Sequence, residues 1–225
     1  MPDTRLPLTL LLSRGANRVK ARGPAEVAEL LGRRVVEGLF SDDEILMYVR
    51  DAGGDFSTRP EWTFRAASTA DAVRYAEDIG TDSVRSFQAR LSAATRCFVV
   101  EKAGRFVHST WATTASAWMR ELRSYIKPPA GDAYIYESYT RPEVRGQGVY
   151  PFALTNICAT LGRDGVRRAW VAVEGDNPAS IRAVTKASFE PAWRFPFGRR
   201  VGILRKGQPT GPHAAEALDF ISASP

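Results

Sequence analysis

Cysteine and histidine are scarce in this chain, with two of each among 225 residues. Cys97 and Cys158 are too few for a disulfide framework or a zinc site, and His108 and His213 add no ligand spacing, so no metal is expected. Cys158 falls at an apolar position of an expected helix and reads as packing. No apolar run approaches the roughly 18 residues that a membrane span needs, so no membrane partner is expected. The Leu6–Leu12 run is interrupted by Pro7 and followed by Arg14, Arg18, Lys20 and Arg22 without a small-residue cleavage site. A signal peptide therefore has little support, and a cytoplasmic location is expected. Lysine is also rare: Lys20, Lys102, Lys127, Lys186 and Lys206 are five of the 31 cations, leaving 26 arginines, and the net charge is +6. Such a surface suits an anionic ligand or nucleic acid. With no basic run interleaved with aromatics, a nucleic-acid partner is not expected.

Present in quantity are apolar residues, 44% of the chain, with 10% aromatics. That is enough for a substantial core, in one large domain or one domain with an added segment. Alternation at Leu6, Leu8, Leu10 and Leu12 predicts an extended segment. Pro24 opens a predicted helix with Val27, Leu30, Leu31 and Val35 on one stripe, and Ile45–Val49 is a short β-prone run ended by Ala52-Gly-Gly-Asp55. Residues 1–60 thus read as a strand-helix-strand extension, serving as decoration, dimer surface or worn duplicate, which leaves a homodimer open. From Trp62 the pattern is regular. Trp62–Ala66 predicts a strand, and a helix capped by Ser68 or Thr69 carries Ala72, Val73, Ala76 and Ile79. A second helix carries Val84, Phe87 and Leu91, and a hairpin joins Arg96–Glu101 to Arg105–Thr110. Residues 111–131 hold Trp111, Trp118 and Tyr125 and are expected to form a short helix over an open face. Strand 133–140, helix 149–161, strand 168–173, helix 178–187 and a hairpin through Trp193 and 201–204 follow. From Gly207 the composition predicts a poorly ordered tail.

Between the strand at 133–140 and the next helix lies Arg145-Gly-Gln-Gly148, with Pro151 in the first helical turn. A strand–turn–helix junction exposes unpaired amides and the positive end of the helix dipole, both favourable to an anion. Glycine there lets a ligand approach the backbone. Taken singly, the turn is equally well explained by conformation alone. A second block follows: Asn177-Pro178 is a cap and first position, and Ile181, Val184 and Ala187 give its helix an apolar face.

The two blocks in this order resemble the motifs of the GCN5-related N-acetyltransferase (GNAT) superfamily, which moves an acyl group from coenzyme A to an amine. The resemblance covers about residues 61–206, leaving 1–60 as the extension and 207–225 as the tail. It implies an α/β (α+β) fold with a mixed, mostly antiparallel sheet flanked by helices on both faces. It also implies acetyl-CoA as co-substrate and a small-molecule amine, such as an amino sugar or amino-acid-like amine, as acceptor. The amides of Arg145, Gly146, Gln147, Gly148, Val149 and Tyr150 would grip the pyrophosphate. The backbone around Tyr139–Thr140 would meet the pantetheine arm, and Asn177 and Ser180 match positions close to the cofactor. Tyr150 stands where the family has a small residue, and Ser188 where it has Gly. Val184 stands where many members carry the Tyr that protonates the leaving thiolate. Tyr139, Tyr150 or a water remain as substitutes for that acid. The proton-accepting base is expected to be Glu137, with Asp132, Glu174 and His108 as weaker candidates. Strict alternation would put Glu137 and Tyr139 on one face, and Tyr136 and Ser138 on the other. An inactive coenzyme A-binding module and a protein or peptide N-acetyltransferase are the competing readings.

Overall fold

The computed structural model describes residues 40–201 and 203–221. The strand expected at 1–12 and the helix expected from Pro24 lie outside the described residues. Two compact units divide the chain: Asp43–Phe197 with Lys206–Pro225, and Met1–Asp42 with Gly198–Arg205.

The strands are β1 (Phe40–Asp51), β2 (Thr63–Ala66), β3 (Thr95–Lys102), β4 (Arg105–Thr113), β5 (Ala117–Met119), β6 (Ser124–Ile126), β7 (Ala133–Thr140), β8 (Arg168–Glu174), β9 (Glu190–Arg200) and β10 (Ile203–Lys206). The helices are α1 (Ala72–Asp78), α2 (Val84–Arg90), α3 (Val149–Arg163), α4 (Pro178–Lys186) and α5 (Ala214–Ile221). In the larger unit the strands hydrogen-bond in the order β9-β1-β8-β7-β4-β3-β2. The pairings β1–β8, β2–β3, β3–β4 and β4–β7 are antiparallel, while β7–β8 is parallel. In the smaller unit, Arg200 forks onto the Asp42 carboxylate (2.8 and 2.9 Å).

Local chemistry explains the elements. Ala103 (φ 49°) and Gly104 (φ 76°) connect β3 to β4 with two left-handed residues, the geometry that matches strand twist in a two-residue hairpin. Ser68 and Asp71 form a reciprocal cap ahead of α1, and Ser83 Oγ accepts from the Ser86 amide (3.2 Å) to start α2. On one sheet face, α3 and α4 bury Leu154, Ile157, Leu161 and Val184 against Ile135 and Val171. On the other, α1 and α2 bury Tyr75 and Phe87 against Cys97, Phe106 and Trp111. Helices on both faces of a mostly antiparallel sheet match the expected fold class.

Four sequence expectations give way. The short β-prone run at Ile45–Val49 is the middle of a longer strand, β1, which lies between β9 and β8 with Met47, Tyr48 and Val49 buried. Val73 is 57% exposed; Tyr75 takes the buried position on α1. Residues 111–131 form the end of β4 and the β5–β6 hairpin instead of a helix, with Trp111 wholly buried and Trp118 open. The stretch after Gly207 carries α5, whose Phe220 packs edge-on against Trp170 (5.0 Å) and Trp193 (6.1 Å). Two small turns of apolar spacing were outweighed in the sequence by the surrounding Gly, Pro and Ser.

Candidate functional site

β7 and β8 are joined only at their beginnings. Ala133, Tyr134 and Ile135 pair with Ala169, Trp170 and Val171, and the pairing stops there. β7 runs on through Tyr136–Thr140 and β8 through Ala172–Glu174, each held by its outer neighbour, β4 and β1 respectively. The inner edges beyond Ile135 and Val171 therefore have no strand partner, which opens a cleft between two central strands.

A bulge helps to turn β7 away. Trp111 faces Tyr136 and Ser109 faces Tyr139, so Thr110 alone stands opposite Glu137 and Ser138, and Glu137 takes a left-handed φ of 48°. An extra residue increases local twist and resets alternation. The expected sharing of faces is thereby overturned. Tyr136 and Tyr139 both pack on the cluster of Tyr75, Phe87 and Trp111, while Ser138 faces the α3 side. Glu137 is thrown outward, about half exposed, and pairs with Arg90 (2.6 Å). Arg90 in turn lies over the Trp111 ring (4.0 Å) and on Asp82 (2.7 Å). Burial opposes its charge, but Glu137 and the other partners outweigh that and raise its pKa.

At the far end of β7, a short 3-10 turn (Pro142–Val144) leads to Arg145–Gly148. Val144 and Val149 are buried with Phe152 and Trp62, which anchors the loop from beneath. Gly146 (φ 79°) and Gly148 (φ 88°) are left-handed, and a Cβ on either would meet nothing within 4 Å. These glycines serve backbone conformation, and the space above them is open. The first bond within α3 runs from Phe152 N to Gly148 O (3.1 Å), so the amides of Val149 and Tyr150 precede it. Arg145 Nε donates to Thr140 O (3.0 Å), and Lys102 Nζ donates to Gln147 Oε1 (3.2 Å), placing two cations at the rim. The corner can hold an anion through main-chain N–H groups and the helix dipole.

The remaining expected residues fall as follows. Asn177 Oδ1 accepts from Ser180 N (3.0 Å), capping α4 at the exit of β8. Val184 is fully buried among Leu154, Ile157 and Val171, with no polar group to offer. Tyr139 Cα partners Ser109 on β4, and its ring belongs to the α1–α2 side. Thr140 Oγ1 is 2.7 Å from His108 Nδ1.

Two of the weaker base candidates are excluded by position. Asp132 lies at the paired end, fully buried. It accepts from Arg168 Nε (2.9 Å) and Trp170 Nε1 (2.9 Å) and faces Arg167 (3.2 Å). His108 is buried with both ring nitrogens engaged, by Thr140 and by Thr110 (2.7 Å each), and burial drives its pKa down to about 3. Glu174 remains. It ends β8 at the open side, and burial, with Glu121 and Asp176 nearby, pushes its pKa up. Cys158 is buried, its thiol pushed up to about 12, as packing requires. The bulge, Arg90 and the Thr110–Ser138 contact had no signal in the sequence, because each depends on which residue β4 sets opposite which.

The open, glycine-shaped amide turn lies beyond the point where the parallel β7–β8 pairing ends. The family model described as Acetyltransferase (GNAT) family matches residues 62–189. The chain belongs to the GNAT acetyltransferase family. No curated protein matches it. Among solved structures it is similar to a GCN5-related N-acetyltransferase from Sphaerobacter thermophilus, at 13% identity and a TM-score of 0.54, covering 78% of this chain and 56% of that one. It is also similar to an acetyltransferase from the GNAT family from Novosphingobium aromaticivorans DSM 12444, at 14% identity and a TM-score of 0.51, covering 69% and 63%. These likenesses speak to the fold, and the chain spans less than two thirds of either relative. GNAT proteins generally use acetyl-CoA, and the interrupted β7–β8 pairing lies inside the matched GNAT region.

Proposed function

We propose that this chain transfers the acetyl group of acetyl-CoA to the primary amine of a small molecule, by direct attack in a ternary complex. The observation that carries the reading is the cleft beyond Ile135–Val171 with an open amide turn at its mouth. In this reading the amides of the Arg145–Tyr150 turn take the diphosphate, those of Arg145 and Gln147 while also bonding within the loop to Pro142 O (3.2 Å) and Val144 O (3.4 Å). The pantetheine arm follows the unpaired edge of β7 past Thr140 and Tyr139, with Asn177 and Ser180 on the α4 side. Unpaired β7 amides near the bulge stabilise the oxyanion as nitrogen attacks the thioester carbon. The C–N bond forms, the C–S bond breaks, and the nitrogen's proton passes to a carboxylate at the open end.

Two carboxylates compete for that step. Glu137 stands on the bulge and is accessible, though paired with Arg90. Glu174 stands on the opposite lip, and burial raises its pKa, the direction that favours taking up a proton. Trp118, 52% exposed on the β5–β6 hairpin, is the aromatic that offers a stacking surface to an acceptor; Trp111 and Tyr134 are spent in the core. An amino sugar or amino-acid-like amine fits this combination of acids and one open ring.

Free-thiol release from acetyl-CoA across an amine panel tests the reading. Turnover with at least one small amine is expected. Glu137→Gln or Glu174→Gln, whichever is the base, should lower kcat about 10²–10⁴-fold. Val184 in the apolar core favours a second reading, a module that binds coenzyme A without turnover. Cofactor binding with no thiol release from any amine would establish that alternative.

A further inference from the structure

A cavity of about 490 Å³ lies beside Arg168, the first residue of β8, whereas the cleft opens toward Glu174, the last. The reaction outlined above does not use it, and its volume is in the range of small-molecule sites. β1 and β8 stay paired to the end here, with Arg50 opposite Ala169 and Asp51 opposite Arg168. The chain leaving β1 is then pinned, as Ala52 N donates to Arg167 O and Gly53 N to Cys158 O, both at 2.8 Å. Gly53 sits so close to α3 that a Cβ on Gly162 would stand 2.5 Å from its Cα. A Cβ on Gly53 itself would meet nothing within 4 Å, so the backbone borders open space. The opposite wall is Ser188 and Glu190, where the chain passes from α4 into β9, together with His213. Ser188 holds a left-handed φ of 60°, a conformation costly for a residue with a side chain.

Two arginines line this cavity, and they differ in what holds them. Arg168 is claimed by Asp132 (2.8 Å) and Glu216 (2.7 Å). Arg50 is half-buried and gives Nη1 to Ala187 O at the end of α4 (2.7 Å). Among the described residues no carboxylate comes within 4.0 Å of it. A guanidinium carries five N–H donors in a planar fork, and one carbonyl satisfies a single donor. Its Nη2 lies next to Gly54, where a Cβ would stand 3.4 Å away, so the absent side chain leaves that side of the fork uncovered. Asp51 and Glu190 are exposed on the same lining, and among the described residues neither has a cation within 4.0 Å. One cation and two anions thus border a single hollow without pairing. A dicarboxylate would be repelled by Asp51 and Glu190, and a diamine by Arg50; a ligand bearing one charge of each sign matches both.

We propose that this cavity binds a small amino-acid-type zwitterion, with its carboxylate on the Arg50 fork beside Gly54 and its ammonium on Asp51 and Glu190. The bond from Arg50 to Ala187 O fixes the guanidinium beforehand, so little freedom is lost when the carboxylate docks. The site stands apart from the transfer cleft and does not depend on the transferase reading.

Calorimetry with the proteinogenic amino acids as probes, without coenzyme A, tests the site. At least one amino acid should give saturable heat. Its amide and its deaminated acid should each bind about 10–100-fold more weakly, because each lacks one of the two charges. Arg50→Gln should erase the preference for the acid over the amide. Asp51→Asn combined with Glu190→Gln should erase the preference for the amino acid over its deaminated acid. If Arg50→Gln does not fold, that double variant, on two exposed side chains, carries the comparison. No heat with any amino acid, or binding that both variants leave unchanged, would overturn the site. Coenzyme A affinity, measured alongside, should be the same in all three proteins. A variant that loses amino acid and coenzyme A together acts through the fold and would count against the assignment. A wild type that binds an amino acid here but no coenzyme A would remove the transferase reading and leave this site standing.

Discussion

The two ends of the β7–β8 pair are built from opposite materials. At the closed end a buried carboxylate, Asp132, is clasped by Arg168 and the Trp170 indole. His213 lies edge-on to that indole and reaches Glu216, which also pairs with Arg168. At the open end the residues are short or left-handed: Glu137 on a bulge, Ser138, Gly146 and Gly148, with main-chain groups unclaimed between the strands. One end spends its polar groups on each other, and at the other the facing strand edges stay unpaired. In the proposed function, stability and ligand binding fall to opposite ends of one pair of strands.

Changes at each end should therefore differ in kind. Asp132→Ala leaves the Trp170 N–H without its acceptor and Arg168 with Glu216 alone, and about 1–3 kcal/mol of stability should be lost in denaturant unfolding. The coenzyme A affinity of the protein that remains folded should not change; a large loss of affinity would break the division. At the mouth, acetyl-CoA at 100 times its Kd should stabilise the fold by about 2.7 kcal/mol. Gly148→Leu should abolish most of that gain, at a cost of about 1–2 kcal/mol to the free protein from its left-handed φ. An undiminished ligand gain would count against the cradle.

The smallest effect belongs to neither end. Asp71, bound by Arg65 and the Ser68 amide, has its carboxyl lowered from 3.8 to about 2. A depressed folded pKa means that this contribution is present above about pH 4 and fades as the pH falls toward 2. Because Arg65 is about one-third exposed, the pair is worth about 1 kcal/mol after screening. Asp71→Asn should flatten that part of the stability–pH curve, and leave coenzyme A binding at pH 7 alone.

Much of the fold was legible because local signals agreed with the tertiary outcome. β7 matches the expected strand in both boundaries. Asn177 and Pro178 start α4 as cap and first position, and Gly148 precedes α3 at Val149. The glycine turn was readable for the same reason: left-handed glycines and helix starts are written in a few adjacent residues. The bulge was not, since a strict period of two was the expectation through Tyr136–Tyr139 and only the facing Thr110 shows that one residue is extra. The chain of hydroxyls through His108 depends on that register shift, so it was hidden as well. α5 was missed because its amphipathic face, Ala217, Phe220 and Ile221, sits in a stretch flanked by Gly207, Pro209, Gly211 and Pro212.

The central claim is that main-chain donors from Arg145 to Tyr150 hold the diphosphate of coenzyme A. Calorimetry of coenzyme A against pantetheine, which keeps the thiol arm but has no diphosphate, tests it most directly. Saturable heat with coenzyme A and binding at least about 100-fold weaker with pantetheine is the predicted result. Equal affinity for the two, or no heat with coenzyme A, would contradict it.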